Sequence, residues 1–209
     1  MIDTWLSHTK LKDAYERFMK KLLLGRISAN QLTLIGLVIG LFAALFINLS
    51  AILPLEFELI IIACIMMIFS FILDTMDGAI ARAEEPTQFG GILDLFSDRT
   101  VEIFIIIAIV STDPLSLIWP GLFSLGAMVL CISMFLIVSI LSEETKEKTG
   151  TRKVIRYKKG FMERSETLIF FFLIVLVVPW RFILLCLFAA LVFLTAILRL
   201  KDGYVLFKK

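Results

Sequence analysis

The chain has 209 residues, 59% of them hydrophobic, with 19 Phe, 21 Lys and Arg against 19 Asp and Glu, and a mean hydropathy of +0.95. So much apolar surface cannot be hidden in one soluble core, which excludes an ordinary soluble globular domain and makes the bilayer the first solvent to consider.

Ahead of the first apolar stretch, Leu11, Ala14, Tyr15, Phe18, Met19 and Leu22 recur at three- and four-residue steps, with Lys10, Lys12, Arg17, Lys20 and Lys21 between them. This pattern predicts an N-terminal amphipathic helix lying in the membrane interface, although a surface helix packed on protein carries the same signature. The segment is polar and charged before Leu32, so no cleavable signal peptide is expected. Ser28 and Asn30 are the candidate caps of the helix that follows.

Six stretches approach the roughly 20 apolar residues that a helix needs to cross the hydrocarbon layer: Leu32 to Ile52, Leu59 to Ile80, Gly91 to Val110, Leu117 to Leu141, Thr167 to Val178 and Trp180 to Leu200. Fusing the last two would make a single segment too long for ordinary tilt. With six spans, 20 of the 21 basic residues fall on one side and only Arg181 falls on the other. Since Lys and Arg concentrate in cytoplasmic loops, both termini are expected to be cytoplasmic. The reading is an all-α integral membrane protein with a single membrane-embedded domain over residues 1–209. Residues 1–31 form the juxtamembrane segment, 32–200 the six transmembrane helices and 142–166 a basic cytoplasmic loop. Cys64, Cys131 and Cys186 lie inside predicted spans without the spacing of a zinc site or disulfide framework, and read as small packing residues.

The informative segment runs from Asp74 to Asp98. At about 100° per residue, Asp74, Asp77, Gly78 and Ala81 share one helix face with Arg82 at its margin, and Gly90, Gly91, Asp94 and Asp98 share a face of the next helix. Pro86 in the linker cannot sit inside a continuous helix. Two antiparallel helices would therefore aim four carboxylates at one another. A carboxylate well inside a span costs about 2.5–3.5 kcal/mol on insertion scales, and like charges about 4 Å apart add roughly 4 kcal/mol at an effective dielectric near 20. A cation must compensate. Arg82 and Arg99 offer an ion-pair network, but Arg99 lies roughly 100° round the helix from Asp98. Clustered hard oxygen donors suit Mg²⁺ or Mn²⁺ beside a phosphate-bearing substrate. The only histidine, His8, is remote in sequence, so a carboxylate must serve as any general base. Gly78 and Gly90 leave the acidic face open to a flat nucleotide or a facing helix, and Arg82 is shaped to grip a phosphate oxygen.

At Asp74, Asp77, Gly78, Ala81, Arg82, Gly90, Asp94 and Asp98 the chain resembles the CDP-alcohol phosphotransferases (CDP-alcohol phosphatidyltransferases), whose signature is D-x-x-D-G-x-x-A-R, a spacer, then G-x-x-x-D-x-x-x-D. Seven residues separate Arg82 from Gly90, a shortened loop that leaves both faces intact. Ser28 to Thr33, Gly160 to Thr167 and Thr195 to Leu200 look like the family's entry to the first span, the segment before the fifth and the C-terminal end, and six spans are the family's architecture.

The resemblance implies two divalent cations, Mg²⁺ or Mn²⁺, on Asp74, Asp77, Asp94 and Asp98, with Asp98 doubling as the base. Asn30, Thr33, Asp77, Gly78, Ala81 and Arg82 would hold the nucleotide. It further implies a CDP-linked lipid donor, either CDP-diacylglycerol or CDP-archaeol, and a small polar alcohol acceptor such as inositol phosphate or glycerol phosphate, with release of CMP. Arg164, Arg152, Lys153 and Arg156 are the acceptor-binding candidates, though ordinary loop charges would look the same. Thr167 stands where the inositol-phosphate enzymes lead one to expect a second Arg, and S-I-L-S-E-E at the end of the fourth span lacks a basic pair, so serine or another alcohol also fits. The partners expected are the bilayer, the two substrates and, by resemblance, a second copy of the chain, with no nucleic acid. The alternatives are a transferase of CDP-linked head groups to a lipid alcohol, a divalent-cation carrier and a scaffold without catalysis.

Overall fold

The computed structural model describes residues 27–84, 87–149, 162 and 164–207. Its helices are α1 (Ala29–Ser50), α2 (Glu56–Ala81), α3 (Gln88–Thr112), α4 (Pro114–Thr149), α5 (Arg164–Leu176) and α6 (Arg181–Phe207), with a 3-10 turn at Val178–Trp180 and no strand among the described residues. Each helix overlies one of the six predicted spans. Four stretches are long and apolar enough to cross a membrane: Ala29–Ser50, Glu56–Ala81, Pro114–Leu141 and Val178–Val205. The 25-residue α3 has the length but carries Asp94, Asp98, Arg99 and Glu102, and α5 has only 13 residues. The predicted amphipathic helix over Leu11 to Leu22 lies outside the described residues.

Local chemistry sets the helix ends. Ser28, rather than Asn30, caps α1 in a reciprocal box: the Gln31 amide donates to Ser28 Oγ at 3.4 Å and the Ser28 amide donates to Gln31 Oε1 at 3.0 Å. Thr87 caps α3 by accepting from the Gly90 amide at 3.0 Å.

The bundle has two parts. α1 packs along both α2 and α3, whereas α2 and α3 make few close backbone approaches to each other. α4 pairs with α6, and α3 and α5 join the two groups. On α1 the outward residues are large, Leu34, Ile35, Val38, Phe42 and Leu45, and the buried ones include Gly36, Gly40, Ala43 and Ala44. That inversion suits helices packing where lipid is the outer solvent, because small residues let backbones approach and large ones face the acyl chains.

α5 and α6 form a hairpin, with Phe171 and Phe170 ring centroids 5.2 and 6.2 Å from Phe188. Arg181 holds its turn. This residue, the one exception to the charge asymmetry, is 4% exposed and donates through Nε and Nη2 to the carbonyls of Ile174 and Val175 at 3.3 and 3.1 Å, and through Nη1 to Thr112 Oγ1 at 2.9 Å. It thereby satisfies carbonyls that the C-terminus of α5 leaves without helical partners.

Candidate metal centre and adjoining chamber

The last two turns of α2 and the first three of α3 carry the acidic residues, and α1 holds them in place from the middle. Carboxylate oxygens of Asp74, Asp94 and Asp98 lie within 4.8 Å of one another. Oδ1 of Asp94 is buried and has no hydrogen-bond partner among the described residues. A desolvated carboxylate oxygen without a partner is unfavourable unless a cation meets it. Three hard, convergent oxygen donors fit Mg²⁺ or Mn²⁺.

Asp77 sits differently. It is 4% exposed and accepts a hydrogen bond from Thr33 Oγ1 at 2.6 Å, so this fourth acid is turned to α1 and stands outside the cluster of three. Asn30, one turn earlier on α1, lies beside the start of α3: a Cβ at Gly90 would be 3.1 Å from Asn30 Oδ1. At Gly78 the equivalent Cβ would meet Arg82 Nη1 at 3.3 Å. The space at the two glycines is met by side chains, Thr87 Oγ1 at 2.9 Å and Asn30 at Gly90 and Arg82 at Gly78, and by no facing backbone among the described residues. Ala81 ends α2 and Arg82 is exposed just past it.

A cavity of about 60 Å³ opens beside Asp74, Asp77 and Asp98 and extends inward past Ser97 to Glu102. Asn30, Gly78, Ala81 and Arg82 do not line it.

A second chamber of about 160 Å³ lies among α3, α4, α5 and α6, lined by Arg99, Glu102, Thr167 and Arg199. Arg199 donates to the Cys131 carbonyl at 2.8 Å and stacks over Phe135, 5.0 Å from its ring centroid. Arg99 pairs with Glu102 at 2.5 Å. The residues of this chamber were not singled out as site residues in the sequence. A buried carboxylate in the third apolar span, four residues after Asp98, is the signal that points to it. Of the acceptor candidates, Arg164 begins α5, one turn before Thr167, whereas Arg152, Lys153 and Arg156 lie outside the described residues. A larger concavity, about 640 Å³, is lined by Glu56, Asp113 and Arg181 rather than by Asp74, Asp77, Asp94 or Asp98, and the Arg181 guanidinium there is committed to the carbonyls of α5.

A family model described as CDP-alcohol phosphatidyltransferase matches residues 26–200. The chain is 28% identical over 210 residues to the inner membrane protein YnjF of Escherichia coli K12, covering 100% of this chain and 98% of that protein. It is 38% identical over 103 residues to the archaetidylinositol phosphate synthase of Pyrococcus horikoshii, covering 48% and 50% of the two chains. Its fold is similar to that of the Mycobacterium tuberculosis phosphatidylinositol phosphate synthase. The TM-score is 0.69 to the complex with CDP-DAG, at 19% identity over 90% of this chain and 92% of that one. To the complex with manganese and citrate it is 0.70, at 19% identity over 90% and 88%.

Proposed function

The chain belongs to the CDP-alcohol phosphatidyltransferase family, and we propose that its acidic helix ends transfer the phosphatidyl-type group of a CDP-linked lipid to a small polar alcohol, releasing CMP. The observation that carries this reading is the convergence of Asp74, Asp94 and Asp98 around a buried Asp94 oxygen with no hydrogen-bond partner among the described residues. The manganese and CDP-DAG complexes of the mycobacterial relative support it by analogy.

Asp74, Asp94 and Asp98 would hold Mg²⁺ or Mn²⁺, with Asp77 completing a site for two ions. Bound there, the ions supply charge neutralisation for a pyrophosphate and its leaving group. The protein's own part is positional. Thr33 fixes the Asp77 carboxylate through its hydroxyl. Arg82, Asn30, Gly78 and Ala81 would hold the cytidine nucleotide. Asp98 takes the proton from the acceptor hydroxyl as that oxygen bonds to the β-phosphorus, and the bond from this phosphorus to the bridging oxygen breaks to free CMP.

The second chamber favours an acceptor bearing an anion, such as inositol phosphate or glycerol phosphate. It has two guanidinium groups against one carboxylate and shares Glu102 with the cavity beside Asp98. Arg164 opens the helix that carries Thr167, and Arg152, Lys153 and Arg156 remain acceptor candidates on charge alone. We place α3 and α5 with the other four helices as spans, giving six, with both termini cytoplasmic, an interfacial helix ahead of α1, one membrane-embedded catalytic domain and a homodimeric assembly.

The test is CMP release by purified protein given CDP-diacylglycerol or CDP-archaeol, Mn²⁺ or Mg²⁺ and a panel of alcohols. Release with a phosphorylated alcohol is expected. No release with any alcohol, alongside ion flux in proteoliposomes, would mark a carrier instead.

A further inference from the structure

One turn of α3 separates two cavities of opposite character. Asp98 lines the acidic one, Arg99 lines the basic one, and Glu102 lines both. Glu102 is 9% exposed and lies within the apolar body of the bundle, where a lone carboxylate is disfavoured. It is matched by Arg99, whose Nη1 is 2.5 Å from Glu102 Oε2 and whose Nε is buried with no hydrogen-bond acceptor among the described residues.

We propose that Glu102 is a positioning residue that holds the Arg99 guanidinium off Asp94 and Asp98 and turned into the basic chamber. Arg99 directly follows Asp98 in sequence, on a side chain long enough to swing. Without Glu102 it would be an unpaired buried cation, and the carboxylates of Asp94 and Asp98 are the anions on its own helix to which it would turn. There it would compete with a divalent ion for the same oxygens. With Glu102 in place, Arg99 keeps a buried N–H directed to other partners, which suits the anionic group of an acceptor. The acceptor half of this inference rests on the proposed transfer reaction; the metal half does not.

The experiment uses full-length protein in detergent, with Mn²⁺ binding followed by electron paramagnetic resonance and turnover by CMP release. Glu102→Gln should weaken Mn²⁺ binding by roughly tenfold, because one uncompensated charge now acts on the site at short range. It should also raise the KM for the acceptor while changing kcat less. Glu102→Asp, which keeps the charge, should recover much of both. In the double variant Arg99→Met/Glu102→Gln the competing cation is gone, so Mn²⁺ binding should return close to the wild-type level while the acceptor KM stays high. Wild-type Mn²⁺ binding in Glu102→Gln, or loss of binding that the double variant does not recover, would overturn the proposal. If the wild-type protein releases no CMP with any alcohol, the transfer reading fails, and the Mn²⁺ series still decides the role of Glu102.

Discussion

Replacing Thr33 with Val tests whether α1 takes part in the site or only packs beside it. Val matches Thr in shape, so the change removes one hydroxyl and opens no cavity. That hydroxyl donates to Asp77 at 2.6 Å between two side chains that are 6% and 4% exposed. A hydrogen bond to a charged group is worth about 1.5–3 kcal/mol, and a buried acceptor left unsatisfied loses a similar amount. If Asp77 must be held in this orientation for turnover, that energy corresponds to a fall of about 10- to 150-fold in kcat/KM, at 1.36 kcal/mol per decade. CMP release at saturating Mn²⁺ reads the effect, and thermal unfolding in detergent separates it from loss of fold. Thr33→Ser keeps the hydroxyl and removes only a methyl, so it should stay far closer to wild type. A Thr33→Val protein within twofold of wild type would refute the claim that this contact positions Asp77.

Asp98→Asn should abolish CMP release while leaving the thermal midpoint near that of wild type, since the amide fills the same space; full activity would remove Asp98 from the role of base. Treatment with a chelator should stop turnover, and adding Mn²⁺ or Mg²⁺ back should restore it. Activity that persists after exhaustive chelation would contradict the metal reading of Asp74, Asp94 and Asp98.

The positions of the helices were legible because their signal is one-dimensional: apolar runs of span length recover the ends of α1 to α3 and α5 to within about three residues, whereas α4 and α6 run on past the apolar stretch to Thr149 and Phe207. The Asp74 to Asp98 faces were legible for the same reason, as angle around a helix follows from spacing alone. What the sequence did not reveal is which neighbour each side chain meets. Asp77 and Asp74 share a face, yet the first turns to Thr33, 44 residues earlier in the chain, and the second to Asp94 and Asp98. The choice depends on α1 packing along both α2 and α3, a tertiary fact without local periodicity. Arg199 and Glu102 were illegible as a pair of chamber walls for the same reason, since 97 residues separate them in sequence. Arg181 looked like a stray charge until the hairpin brought the carbonyls of Ile174 and Val175 to it.

α1 packs along both α2 and α3, whereas the backbones of α2 and α3 make few close approaches to each other, so the fit of α1 between them bears on the gap between their acidic faces, and Gly40 is a tight point of that fit. A Cβ there would lie 2.6 and 2.7 Å from the two methyls of Val101 on α3 and 3.0 Å from Ser70 Oγ on α2, well inside ordinary contact of 3.4–4 Å. Val is β-branched and stiff at χ1, and rotation merely exchanges one methyl for the other, so the backbones of α1 and α3 must part. The Gly40→Ala change should therefore lower stability by about 1–3 kcal/mol through overpacking. It should also lower turnover, because a displacement of about 1 Å at the reacting groups is enough for a loss on the order of 100-fold. Val101 is three residues beyond Asp98 on the same helix, so strain at this contact passes directly to the metal ligands. Adding Val101→Ala removes both methyls and should recover stability and CMP release together. Recovery of stability without recovery of turnover would mean that the spacing of the acidic faces is not governed by α1, and that α2 and α3 are held apart by some other contact.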